Sequence, residues 1–274
     1  AGRGGCLRVP GGLPVSSAAV AVGGLAPLST SGTGSRESLE VVSNLARWKK
    51  LRKAIRESAR LHASELEAGR ERSHCVMVTL TYSGDGRRGD EAGQCQPRHV
   101  SEYLRLVRQW AGRRGFSLRY VWVGELQARG ALHYHVVYWL PKRISMPKAD
   151  KQGWWKHGRT NVIAARSAVG YLTKYISKLR SKGAESQPFP KGFRMHGCGG
   201  LTGDGREVRA WTLLPRWVQD LGDWSLRFRR AVGGGLFSKL TGEWFQSPWV
   251  VLYVERRPGV GAVIHIGRRT EAGF

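Results

Sequence analysis

The chain has no apolar run approaching the ~18 residues of a membrane span, so no membrane is expected among its partners. Its four cysteines, Cys6, Cys75, Cys95 and Cys198, include no CxxC pair. That excludes zinc-ribbon spacing and a small disulfide scaffold, and reads as a reduced, cytoplasmic protein. Acidic residues are scarce: 20 Asp plus Glu stand against 45 Lys plus Arg, a formal charge of +25. An excess of this size self-repels without a counter-charge, so the expected partner is a polyanion, nucleic acid first. There is no internal repeat and no GxxxxGK[ST] phosphate loop, so no fused helicase is expected. Residues 1–37, with VSSAAVAVGGLAPLS at 15–29, are broken by Gly, Pro and Ser and read as a flexible leader.

Structural patterning begins at about Ser38. To about Arg72, Leu45, Trp48, Leu51 and Ile55 recur at helical spacing with Lys and Arg between them, predicting a basic amphipathic helix. CVMVTLTY at 75–82 alternates Val76, Val78, Leu80 and Tyr82 on one face and predicts a central strand. Pro97 opens a second helix, which Gly112 and Gly115 end. RYVWVGEL (119–126) and LHYHVVYWL (132–140) predict two strands joined through a Gly-bearing hairpin. After a loop containing KQGWWKHG, Thr160 is expected to cap a helix reaching about Ser181. Residues 183–210 read as a linker, and 211–274 as a basic, aromatic region with strand-like stretches at WVVLYVERR and GAVIHI. The order implies an α+β fold: a central antiparallel sheet of split βαβ type with helices on one side.

Within ALHYHVVYWL, His133 and His135 lie two apart on a strand and therefore project from the same face, ~6.5–7 Å apart along it. Two imidazoles so placed can share a metal ion, or they can be half-buried strand residues. Glu125 joins them if it pairs with an odd-numbered partner such as His133, which needs a hairpin loop of three or five residues. Gly130 is placed for the left-handed position of a three-residue loop with a bulge. Two imidazoles and a carboxylate suit Mg²⁺ or Mn²⁺, while imidazole alone suits zinc equally. In AVGYLTKYISKLRSK (168–182), Tyr171, Lys174, Tyr175 and Lys178 fall on one helical arc, and Ala165, Ala168, Leu172, Ile176 and Leu179 fall on the adjacent one. Such an arc is either a solvated basic face or a set of phenols beside phosphate-orienting ammonium groups. Trp154 and Trp155 fit either a path for stacked bases or loop packing. His196 and Cys198 lack further ligand spacing, and no metal is assigned to them.

TLTY at 79–82, GALHYHVV at 130–137 and YLTKYISK at 171–178 stand in an order that resembles the HUH (His-hydrophobic-His) endonucleases. Within that superfamily the chain resembles the rolling-circle replication initiators of filamentous, single-stranded DNA phages. The resemblance covers roughly residues 40–200 and implies a nuclease domain at 38–182. It further implies that His133, His135 and Glu125 hold a divalent ion while Tyr171 or Tyr175 attacks single-stranded origin DNA. The products would be a 5′-phosphotyrosine link and a free 3′-OH that primes a host DNA polymerase, with a host helicase unwinding the duplex. The second tyrosine would make the reciprocal attack, and Lys174 and Lys178 would steady the phosphate or the nucleophile. If phage-encoded, the protein would work in the bacterial cytoplasm.

Other readings remain. A transposase of the same group shares the two tyrosines. A conjugative relaxase has the opposite motif order, and a histidine-triad hydrolase would need histidine where Val137 stands. A non-catalytic DNA-binding module would account for the charge alone.

Overall fold

The computed structural model describes residues 38–83, 95–126, 132–168, 170–173, 192–222, 224–232 and 235–269. The leader at 1–37, Gly130, Lys174, Tyr175, Ile176, Lys178 and Leu179 lie outside them. The fold is α+β. β2 (Ser73–Thr81), β3 (Arg119–Leu126), β4 (Leu132–Pro141), β5 (Thr160–Ala164) and β6 (His196–Gly199) form one antiparallel sheet in the order β5-β2-β4-β3-β6.

Helices cover both faces of this sheet, not one as expected. Val76, Val78, Leu80 and Tyr82 of β2 and the even-numbered residues 132–140 of β4 pack with Val100, Tyr103, Leu104, Val107 and Trp110 of α2 (His99–Gly112). On the opposite face Met77, Val121, Val123, Val137 and Trp139 meet Leu51, Ile55, Ala59 and Leu66 of α1 (Ser43–Ala68), together with Ala165, Ala168 and Leu172. The sequence shows why. β3 and β4 are apolar along nearly their whole length and are buried almost throughout, so water can face neither side. Within α1 the predicted stripe is buried at Leu51 and Ile55 but not at Leu45, which is exposed because it lies at the helix start, before the sheet is reached.

Three further expectations change. Residues Ser38–Val42 are not helical but form β1, paired antiparallel with β11 (Gly261–Arg268) at the far end of the chain. Thr160 does not cap a helix. It begins β5, whose Thr160, Val162 and Ile163 are β-branched and satisfy the free edge of β2 from Leu80 to Val76. Helical geometry starts seven or eight residues later, where the Ser167 hydroxyl accepts the Gly170 N–H at 3.1 Å, as an N-cap does.

The stretch read as linker carries β6 and α3 (Gly203–Thr212). Glycine content suggested a loop, but Gly197 and Gly199 stand directly opposite Trp122 and Tyr120, whose side chains occupy the space a β-carbon would take. The glycines are there so that an edge strand can lie beneath two aromatic rings.

Beyond α3 come α4 (Arg216–Gln219), a small sheet of β7 (Phe228–Arg230), β8 (Leu236–Ser238) and β9 (Trp244–Phe245), and β10 (Trp249–Arg257), which pairs with β11. Both late strand-like stretches are therefore strands. One carboxylate ties α1 to the elements around it: Glu65 takes the Arg119 guanidinium of β3 at 2.5 Å and the Thr202 hydroxyl, at the cap of α3, at 2.6 Å.

Candidate metal and nuclease site

The β3–β4 pairing meets the register condition on the candidate site. Leu126 faces Leu132 across a five-residue connection, so Glu125 stands opposite His133 and Val123 opposite His135. Partners across an antiparallel pair point the same way. Glu125, His133 and His135 therefore share the face that α1, Ala165, Ala168 and Leu172 cover, and all three are buried (5 %, 8 % and 4 % exposed).

The carboxylate reaches diagonally. Glu125 Oε2 lies 2.8 Å from His135 Nε2, while the His133 and His135 ring centroids are 6.5 Å apart. Strand β2 adds Thr81 opposite His133 and Thr79 opposite His135. The Thr79 hydroxyl is 3.2 Å from His135 Nδ1, so both nitrogens of that ring are engaged and its plane is fixed. Sequence reasoning missed Thr79 as a site residue, although it stands within TLTY. The signal lay in a cross-strand register that only the fold supplies.

Tyr171 is half-buried and packs against the core on this same sheet face, next to the buried Leu172. It was expected on an arc that the core leaves alone, and the observed position is intermediate between the two arcs. Lys174, Tyr175 and Lys178 follow it outside the described residues. Tyr82, the tyrosine of TLTY, is on the opposite face. It is fully buried, its hydroxyl lies 3.1 Å from His99 Nδ1, and burial pushes its ionisation well above the ordinary phenol range.

Residues 75–180 match the family model of replication-associated protein ORF2/G2P. The matched segment is more than a third of the chain and contains every residue singled out above: Glu125, His133, His135, Tyr171, Lys174, Tyr175 and Lys178. It supports a replication initiator of rolling-circle type. Neither the curated proteins nor the solved structures give a match. None of the helices in the described residues is long and apolar enough to cross a membrane.

The fold also places His196, beyond the matched segment, and the tryptophan pair within it. His196 of β6 stands opposite Val123, on the candidate-site face and one strand beyond β3. Burial, with the charge of Arg209 adding to it, pushes the His196 imidazole down to about 4. Trp155 is not an exposed base platform. It is 2 % exposed, and its indole N–H donates to the Thr81 carbonyl at 2.9 Å, which makes it core. Trp154 packs half-buried against the same core.

Glu40, Glu255 and His265 place ligand-type atoms within 4.8 Å of one another on the β1-β11-β10 sheet. Arg257 occupies that cluster, bonding Glu40 at 2.9 and 3.1 Å and Glu255 at 2.5 Å, so the carboxylates already have a cation.

Proposed function

We propose that the protein initiates rolling-circle replication by nicking and rejoining single-stranded origin DNA, with a tyrosine as nucleophile and a divalent ion on His133, His135 and Glu125. This is the HUH endonuclease reading, with a filamentous-phage type of initiator as its nearest pattern. The observation that carries it is the convergence of Glu125 on His135 beside His133, on the sheet face against which Tyr171 packs. The donor chemistry suits the ion, and Glu125 and His135 are spaced as two of its neighbouring ligands. Two imidazoles and one carboxylate leave coordination positions for water and phosphate oxygen, and neighbouring donors about 2.1 Å from a small ion lie roughly 3 Å apart, close to the observed 2.8 Å.

When bound, Mg²⁺ or Mn²⁺ supplies Lewis acidity to a non-bridging phosphate oxygen. The chain's own groups do the rest. The hydroxyl oxygen of Tyr171 or Tyr175 attacks phosphorus, the bond from phosphorus to the 3′ oxygen breaks, and that oxygen takes a proton. Protein is left on the 5′ phosphate and a 3′-OH is free. Lys174 and Lys178, three and seven residues beyond Tyr171, balance phosphate charge. The remaining tyrosine accepts the strand in the reciprocal transfer that closes a circle. A host DNA polymerase extends the 3′-OH and a host helicase opens the duplex.

The test is a covalent adduct between the protein and a labelled single-stranded origin oligonucleotide in Mg²⁺ or Mn²⁺. Adduct is expected with the native chain and is expected to be lost in a Tyr171→Phe, Tyr175→Phe double variant. Undiminished adduct in the double variant removes both tyrosines from the mechanism. No adduct under any metal leaves a DNA-binding module.

A further inference from the structure

α1 has a charged side that the nuclease face does not use. Leu51, Ile55 and Ala59 point into the sheet, while Lys49, Lys53 and Arg56 recur at i, i+4 and i+7 and line an open surface with Arg52. Among the described residues Lys49, Lys50, Arg52, Lys53 and Arg56 form no ion pair, whereas Arg60, one turn on, is held by Glu57 at 2.6 Å. The stripe continues into a groove whose other wall is Leu214, Trp217, Phe228 and Arg230. No Asp or Glu is among the described residues lining that groove. Across it, partial burial and the nearby Arg230 guanidinium together lower the Lys50 ammonium from its ordinary range. Two cations held toward one another over a carboxylate-free groove are relieved by an anion between them.

We propose that this groove is a second DNA contact, gripping the phosphates of a single strand away from the cleavage chemistry, with a base against Trp217. The ligand class rests on the nicking reading; the place and the strand preference rest on the groove. A row of ammonium and guanidinium groups beside half-buried aromatic rings suits an unstacked strand, because every base offers a ring face and duplex bases are already stacked on one another. The charge row makes the binding salt-dependent.

The test uses the full chain and fluorescence anisotropy of a labelled oligothymidylate about 20 nucleotides long, titrated across salt. Lys49→Glu with Lys53→Glu is expected to weaken binding at least about tenfold near physiological salt and to flatten the salt slope by about 1.4, two contacts' worth for a single strand. Trp217→Ala is expected to weaken it about fivefold or more. Arg105→Glu in α2 with Arg113→Glu just past its end makes the same net-charge change elsewhere and is expected to cost under about threefold. Circular dichroism checks folding, and Lys49→Gln with Lys53→Gln repeats the test with a milder change.

Equal losses in the α1 and α2 variants overturn the proposal, as does an unaffected Trp217→Ala or a duplex that competes as well as the single strand. The two readings fail separately: absence of adduct in the native protein bears on nicking, whereas the groove is judged by affinity alone.

Discussion

Glu125 stands opposite His133 in the sheet, yet its carboxylate meets His135, with Oε2 and Nε2 2.8 Å apart. As a bare pair, His135 Nε2–H donates to the carboxylate and Nδ1 accepts from Thr79. For Nε2 to ligate an ion, the proton must sit on Nδ1, and the Thr79 hydroxyl then accepts it. A hydroxyl serves either tautomer, so the ring can take up an ion without turning.

Metal binding should therefore be readable without any DNA. Mn²⁺ at about a hundred times its dissociation constant is expected to stabilise the native chain by about 2.7 kcal/mol. In thermal melts, Glu125→Gln and His135→Gln should abolish most of that gain. A gain of the same size in both variants would place the ion elsewhere.

Thr79→Val keeps the β-branched shape and loses only the hydroxyl. Mn²⁺ affinity is expected to fall by about tenfold, the usual scale for a group that orients a ligand, while urea denaturation of the metal-free chain changes little. Calorimetric titration of both proteins gives the comparison.

His62 on α1 is wholly buried, with its ring 4.7 Å from that of Trp139. Burial, aided by the Arg119 charge and opposed by Glu65, pushes its imidazole down to about 4. The folded state thus binds the proton less readily than the unfolded chain does. The stabilisation is complete above the unfolded value near 6.5 and is lost as pH falls from there to about 4. By linkage this amounts to at most about 3 kcal/mol. His62→Phe should flatten urea stability between these pH values without removing the dependence, because His196 is depressed to about 4 as well. An unchanged pH profile would count against the assignment.

The Glu65 carboxylate bonds Arg119 and both the N–H and hydroxyl of Thr202. Burial works to raise its ionisation, and the Thr202 and Arg119 hydrogen bonds outweigh it, holding the carboxyl below its ordinary range. Glu65→Ala leaves the largely buried Arg119 guanidinium with the Gly200 carbonyl at 3.2 Å and Glu71 at 3.8 Å, and is expected to cost about 2 kcal/mol in urea unfolding. Gly205→Ala should also destabilise, because a β-carbon there meets Glu65 Oε1.

Much of the sheet was legible in the sequence. β2, β3, β4, β10 and β11 follow from alternation or from unbroken β-branched and aromatic runs, and the pairing of Glu125 with His133 needs an odd loop, which the five-residue connection supplies. What escaped depended on partners remote in the chain. Thr160 is a good N-cap residue, but β2 had an open edge to fill; HGCG at 196–199 looks like loop until Tyr120 and Trp122 are set above it. Thr79 entered the site only through its place beside His135. Local propensity carries no record of such neighbours.

The pairing of β1 with β11 bears on synthesis. All five strands of the central sheet lie before residue 200, so that sheet can close while the chain is still growing. β1 must wait for residues 263–267, its strand partner among the described residues, before the segment leading into α1 is held. A product ending early in the C-terminal region would thus retain every residue of the candidate metal site while leaving the start of its main covering helix untethered. Nonsense truncations there should be lost to proteolysis of α1 rather than to any defect at Glu125, His133 or His135.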